Sequence, residues 1–152
     1  MTMKKIVIGT ANFGMDYGIG HNQNKLIDSD IVEILKTAKK LGIDTIDTAI
    51  SYGNSLNRLG ELGIRNFKII MKFPKITEDR KKQTNWFNEQ IESTLKQLDV
   101  NSLEAILLHY PKDILENKNY ELIHFLLNLK NQRVTKKIGV SIYEKNELNE
   151  IL

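Results

Sequence analysis

Five short apolar runs, each followed by a stretch with helical periodicity, constrain this chain more than any other feature. Ile6 to Ile8 is the first, running out at Gly9 and Thr10. Ile43 to Asp47, Phe67 to Met71, Glu104 to Leu108 and Ile138 to Val140 follow, and the last three give way to Lys72, His109 and Ser141. Pro74 and Pro111 stop the third and fourth runs, because proline cannot donate to a sheet ladder. Between the runs the spacing changes to that of helices. Ile31, Ile34, Leu35, Ala38 and Leu41 form one stripe, started by Asp28, Ser29 and Asp30 as N-cap candidates and closed by Gly42. Asn54 and Ser55 are caps for a short helix to Leu62. Thr84 or Asn85 is the expected cap for a helix with Phe87, Ile91, Leu95 and Leu98 on its face. Tyr120, Ile123 and Leu127 are read as part of the apolar arc of the next helix. The last helix begins near Glu144. Asn12 to Gly20 and Lys75 to Gln83 are read as loops.

Strands alternating with helices imply parallel pairing through right-handed crossovers. Five βα units over 152 residues average about 30 residues each, the unit length of an eight-fold barrel of roughly 250 residues. An open doubly wound sheet fits the same count. The residues at successive strand ends, Gly9-Thr10, Asp47, Lys72, His109 and Ser141, favour the barrel, where such ends converge on one face. The expected fold is therefore α/β, a parallel (β/α)8 TIM-barrel type with about five of its eight units, as one domain over residues 1–152.

Composition excludes several other classes. A net charge of +3 with lysines scattered in pairs describes solvated faces, not a nucleic-acid footprint. The absence of cysteine removes disulfide and thiolate chemistry. No apolar run is long enough for a signal peptide or a membrane span, so a cytoplasmic location is expected.

The chemistry concentrates around GIDTIDTAISYGNSLNRLG, residues 42–60. Asp47 ends its strand and Tyr52 stands five residues on, in a Ser-Tyr-Gly turn. With Lys72 and His109 they form a titratable set at one end of a sheet. An ammonium beside a phenol favours proton release by charge attraction, and a tyrosine so placed can protonate a developing alkoxide. Asp47 would pair with Lys72, because a desolvated ammonium needs a counter-charge. His109 could hydrogen-bond a carbonyl oxygen and orient it. Carbonyl reduction by hydride needs those parts.

IGTANFG, GIDTIDTAISYGNSLNRLG, IIMK, ILLHYP and KKIGVS, in this order and spacing, resemble the aldo-keto reductase superfamily over nearly the whole chain. The resemblance implies a (β/α)8 barrel and reduction of a small aldehyde or ketone by NADPH, with NADH as the alternative. It assigns Asp47, Tyr52, Lys72 and His109 as a catalytic tetrad with Tyr52 as the acid, and Gly9, Thr10 and Ser141 near the nicotinamide. Three positions depart from the family pattern. Leu56 stands where an acidic residue is common, Ile142 where an asparagine often holds the carboxamide, and the sequence given stops where a sixth strand would begin. Five strands of a barrel leave two open edges, which invite self-association. This polypeptide alone is expected not to reduce carbonyls at a useful rate.

Two other readings stay open. One is a binding or regulatory protein that kept the fold without catalysis. The other is a barrel lyase or isomerase that uses Lys72 as a Schiff-base amine. His21 and His124 lack partners at metal-ligand spacing. Gly14, Gly18 and Gly20 read as a flexible loop over the site, and Trp86 and Phe87 as helix packing.

Overall fold

A computed structural model describes residues 6–18, 25–76, 79, 82–115 and 120–151. Its elements run β1 (Ile8–Gly9), α1 (Ala11–Gly14), α2 (Asp28–Lys40), β2 (Thr45–Ala49), α3 (Ser55–Glu61) and β3 (Lys68–Phe73). They continue with α4 (Gln83–Leu98), β4 (Leu103–Leu108), α5 (Lys112–Leu115), α6 (Tyr120–Asn131), β5 (Thr135–Val140) and α7 (Lys145–Ile151).

The five strands form one sheet in the order β1-β2-β3-β4-β5, every neighbouring pair parallel. That order separates the two architectures left open by periodicity. A doubly wound sheet reverses its order at a switch point, whereas here each right-handed crossover advances in one direction and returns its helix to the same face. The result is a partial (β/α) barrel with helices outside and one face of the sheet inside. Register fixes what each face carries. Gly9, Asp47, Ile70, Ala105 and Lys137 lie in one row, and Ala49, Lys72, Leu107 and Gly139 in the next. Both rows share a face because side chains alternate with period two.

The other face carries the core. Ile46, Ile69, Met71, Phe73, Ile106 and Leu108 are buried and pack with Ile31, Leu59, Phe87 and Leu98 from the helices. Phe73 stacks on Phe87 at 4.6 Å between ring centroids, and Trp86 and Phe125 meet Phe87 edge-on. Trp86 and Phe87 thus pack the helix layer.

Several local expectations shift. Ile6 and Val7 are exposed, and of the described residues of the first run only Ile8–Gly9 pairs with β2. β2 extends through Thr48 and Ala49, which pair with Met71 and Lys72, so Asp47 sits within the strand and not at its end. Lys72 likewise lies inside β3, one residue before its end. The N-caps are Ile27, Asn54 and Lys82, none with a side-chain cap bond. The helix expected to start at Thr84 or Asn85 already includes Gln83. In α6 the buried stripe is Leu122, Leu126 and Leu129, while Tyr120 and Leu127 face solvent. A leucine-rich helix is apolar over a wide arc, and only part of that arc is buried. The first residues of the expected loop, 12–14, instead join Ala11 in a helical turn that buries Ala11 and Phe13. The C-terminal signal of α2 is as expected: Gly42 follows Leu41 with φ +75°, the left-handed conformation glycine adopts freely.

Candidate active site

The chain leaves β2 through a turn built from its own backbone. The Ile50 N–H donates to the Lys72 carbonyl (3.2 Å), the Tyr52 N–H to the Ala49 carbonyl (3.2 Å) and the Ser55 N–H to the Tyr52 carbonyl (3.0 Å). These bonds hold Tyr52 over the last pair of β2 and β3. From inside β3, Lys72 Nζ donates to Asp47 Oδ1 and to Tyr52 Oη at 3.4 Å. It also lies 5.5 Å from the Tyr52 ring centroid. The Lys72–Asp47 pair is largely sequestered, with side chains 12% and 26% exposed. In such surroundings each charge needs the other, because an unpaired one would cost several kcal/mol (on the order of 3–5).

His109 follows β4, its N–H bonded to the Phe73 carbonyl at 2.9 Å. Its ring meets Tyr52 edge-on, 6.1 Å between centroids at 66°. Burial holds the imidazole pKa below its ordinary 6.5, the Lys72 charge adds to this, and Asp47 opposes it. These surroundings favour the neutral ring over the charged one. Its Nε2 is buried and has no hydrogen-bond partner among the described residues. A hollow of about 300 Å³ opens beside it, lined by His109, Tyr110, Pro111, Lys112, Tyr143 and Glu147. A larger polar hollow, about 410 Å³, lies at the opposite end of the strands around Arg65, Lys68, Asp99 and Glu104. Its charges are already paired, Arg65 with Asp99, Lys68 with Asp44 and Glu104 with Lys136, so it lacks the unmatched group that marks the first.

Asp47, Tyr52, Lys72 and His109 are thus brought together. Gly9 pairs with Asp47 on the inner face, and a Cβ there would stand in open space. Thr10 is buried, and its hydroxyl donates to the Asp47 carbonyl at 3.0 Å. Ser141 caps β5, half-buried, its N–H on the Leu108 carbonyl at 2.8 Å. Sequence reasoning missed Ser55 and Arg58, both buried on α3. Ser55 Oγ donates to the Thr10 carbonyl at 3.2 Å. Arg58 donates to the Phe13 carbonyl and, through Nε, to Asp28 Oδ1 at 2.6 Å. An arginine two residues from Leu56 and one from Leu59, on a helix that buries both, was the available signal. Gly14 is part of α1 and not of a flexible loop; Gly20 and His21 lie outside the described residues. Among the described residues no group of histidine and carboxylate side chains could hold a metal ion, and no helix is long and apolar enough to cross a membrane.

The arrangement has counterparts in known proteins. The family model described as "Aldo/keto reductase family" matches residues 5–152. A Pseudomonas aeruginosa protein assigned to the aldo-keto reductases is 32% identical; the match covers 89% of this chain and 54% of that one, with a TM-score of 0.71. A thermostable aldo-keto reductase solved with the inhibitor epalrestat is 26% identical over 95% of this chain and 52% of that one, TM-score 0.66. The holo form of an aldo-keto reductase from Bacillus halodurans shares the fold at 20% identity, over 96% and 48% of the two chains, TM-score 0.70. No curated protein sequence matches the chain. The chain spans about half the length of the solved structures it matches. With its sequential parallel sheet and a family match over nearly every residue, the chain belongs to the aldo/keto reductase family.

Proposed function

We propose that Asp47, Tyr52, Lys72 and His109 form the proton-donating half of a site that reduces a small aldehyde or ketone with hydride from NADPH, NADH being the alternative donor. The observation that carries this reading is a phenol 3.4 Å from a partly buried lysine nitrogen, facing an imidazole whose buried Nε2 is unmatched among the described residues. The inner face fits a nicotinamide at one point: Gly9 leaves open space beside Asp47. Gly9 and Ser141 would hold that ring. Thr10 has already committed its hydroxyl to Asp47 and would contribute through its position. The bound nicotinamide would supply hydride to the carbonyl carbon.

The chain's own groups handle the oxygen. A neutral imidazole offers one N–H donor, so His109 Nε2 can bond the carbonyl oxygen and fix its place beside Tyr52. As charge develops on that oxygen, Tyr52 Oη gives it a proton. Lys72, beside the phenol, stabilises the negative charge left behind, and Asp47 keeps Lys72 in place. Because Lys72 Nζ is engaged by both Asp47 and Tyr52, it is poorly placed for Schiff-base formation.

The test is NADPH oxidation with an aromatic aldehyde, run beside an NMR titration of the His109 ring with the same aldehyde. A Tyr52→Phe variant should lose about 10²–10⁴-fold in rate, the usual worth of a positioned proton donor. The His109 signals should move on addition of aldehyde whether or not this chain turns over. Unmoved His109 signals, or a measurable rate indifferent to Tyr52→Phe, would overturn the reading.

A further inference from the structure

We propose that α1 is a positioning clamp for the Tyr52 turn, closed by Gly14 against Gly53 and fastened by Arg58. This inference rests on the reading of Tyr52 as the proton donor.

The two glycines face each other so closely that neither tolerates a side chain. A Cβ on Gly14 would lie 1.7 Å from the Tyr52 carbonyl oxygen and 2.4 Å from the Ser55 nitrogen. A Cβ on Gly53 would lie 2.3 Å from the Gly14 carbonyl oxygen, and Gly53 has φ +56°, where a β-carbon is strained. The atoms in the way are backbone, which cannot swing aside. Space alone therefore registers the helical turn 11–14 on the turn carrying the phenol.

Polar contacts hold the same surfaces together. From α3, immediately after that turn, Ser55 Oγ reaches the Thr10 carbonyl and Arg58 the Phe13 carbonyl. One carbonyl belongs to the N-cap of α1 and the other to a residue within it. Arg58 is buried and its charge is matched by Asp28 at the start of α2, so the guanidinium ties three elements at one point. Thr10 connects this assembly to Asp47. One segment thus fixes both the strand bearing the carboxylate and the turn bearing the phenol.

His109 reports on the clamp without requiring turnover. Its ring lies against Tyr52 and its lowered pKa comes first from burial. The groups around it are Lys72, Asp47 and Tyr52, with Lys112 and Glu147 at the adjoining hollow. None of these is altered by substitutions at Gly14, Ser55 or Arg58.

The experiment compares the full chain with Gly14→Ala, Arg58→Met and Arg58→Lys. Ring-to-ring nuclear Overhauser effects between Tyr52 and His109 are followed together with the His109 titration midpoint. Loosening the clamp should abolish the Overhauser effects and raise the midpoint towards 6.5 in Gly14→Ala and Arg58→Met, with Arg58→Lys restoring part of both. Should Gly14→Ala fail to fold, the Arg58 pair decides. Unchanged ring contacts and midpoint in folded Arg58→Met would overturn the proposal. A failure of the catalytic reading would look different, as His109 signals unmoved by aldehyde, or a measurable rate indifferent to Tyr52→Phe, with the clamp readouts intact.

Discussion

The middle of the sheet and its β5 flank obey the same register but not the same burial. Along one row on the helix-facing side, Thr48, Met71 and Ile106 are fully buried, whereas Ile138 on β5 is only half-buried. Along the next, Phe73 and Leu108 are fully buried and Val140 is not. β5 has a neighbour on one side only, and α7 buries none of its residues. Asp47, Tyr52, Lys72 and His109 all belong to the supported middle, while Ser141 and Tyr143 belong to the flank. The four residues proposed for proton transfer therefore sit on the better-buried part of the sheet, and Ser141, one of those proposed for the nicotinamide, on the less-buried part.

The largest break in that contrast should come from Phe73. It is fully buried, stacked on Phe87, and directly follows Lys72. Phe73→Ala should cost about 3–5 kcal/mol by creating a cavity, a large share of the roughly 5–15 kcal/mol that holds a domain together. Urea unfolding measures it. The matching change on the flank, Val140→Ala, should cost well under half as much; equal losses would mean that β5 is as well packed as β3.

Gly60→Ala comes next. A Cβ there would lie 1.8 Å from the Gln97 carbonyl oxygen, where α3 crosses α4. Overpacking of this kind costs about 1–3 kcal/mol. Since α3 carries Ser55 and Arg58, the shift should also disturb the Tyr52–His109 ring contact. Loss of stability with that contact intact would show that α3 can move without carrying the turn along.

What the sequence made legible followed from alternation. Strand number and parallel pairing could be read from the apolar runs, Asp47, Lys72 and His109 from the polar residues at or near their ends, and Tyr52 from the turn after the second run. The boundaries could not. β2 continues through Thr48 and Ala49 because Met71 and Lys72 are there to pair with them, a fact about the neighbouring strand. The buried arc of α6 depends on what lies beneath it, so Tyr120 and Leu127 could not be distinguished from Leu122 and Leu126. The glycine contact between 14 and 53 joins positions almost forty residues apart, and no local pattern announces it.

A smaller effect concerns acid. In the folded chain the His109 pKa lies below its ordinary 6.5, chiefly because burial disfavours the charged ring. The unfolded chain then binds more protons than the native one as pH falls through 6.5, so this contribution to stability is lost from there down through the folded value. His109→Gln should flatten the dependence of melting temperature on pH in that window. An unchanged slope would place the ring in water and remove one support for the site's geometry. The effect is modest because much of the ring is not deeply sequestered.

The smallest effect expected is at the flank itself. Leu148 is 41% exposed on a helix with no buried residue. Leu148→Ala removes apolar surface that is already in water, and surface changes of this kind usually stay within about 0.5 kcal/mol. The same substitution at Leu98, fully buried at the end of α4, should cost about 2–5 kcal/mol. The pair isolates burial from chemistry, since the atoms removed are identical. If Leu148→Ala proved as damaging as Leu98→Ala, α7 would have to be covered in solution. The loose end of the sheet would then be an interface, and Ser141 would stand on ground as firm as Lys72.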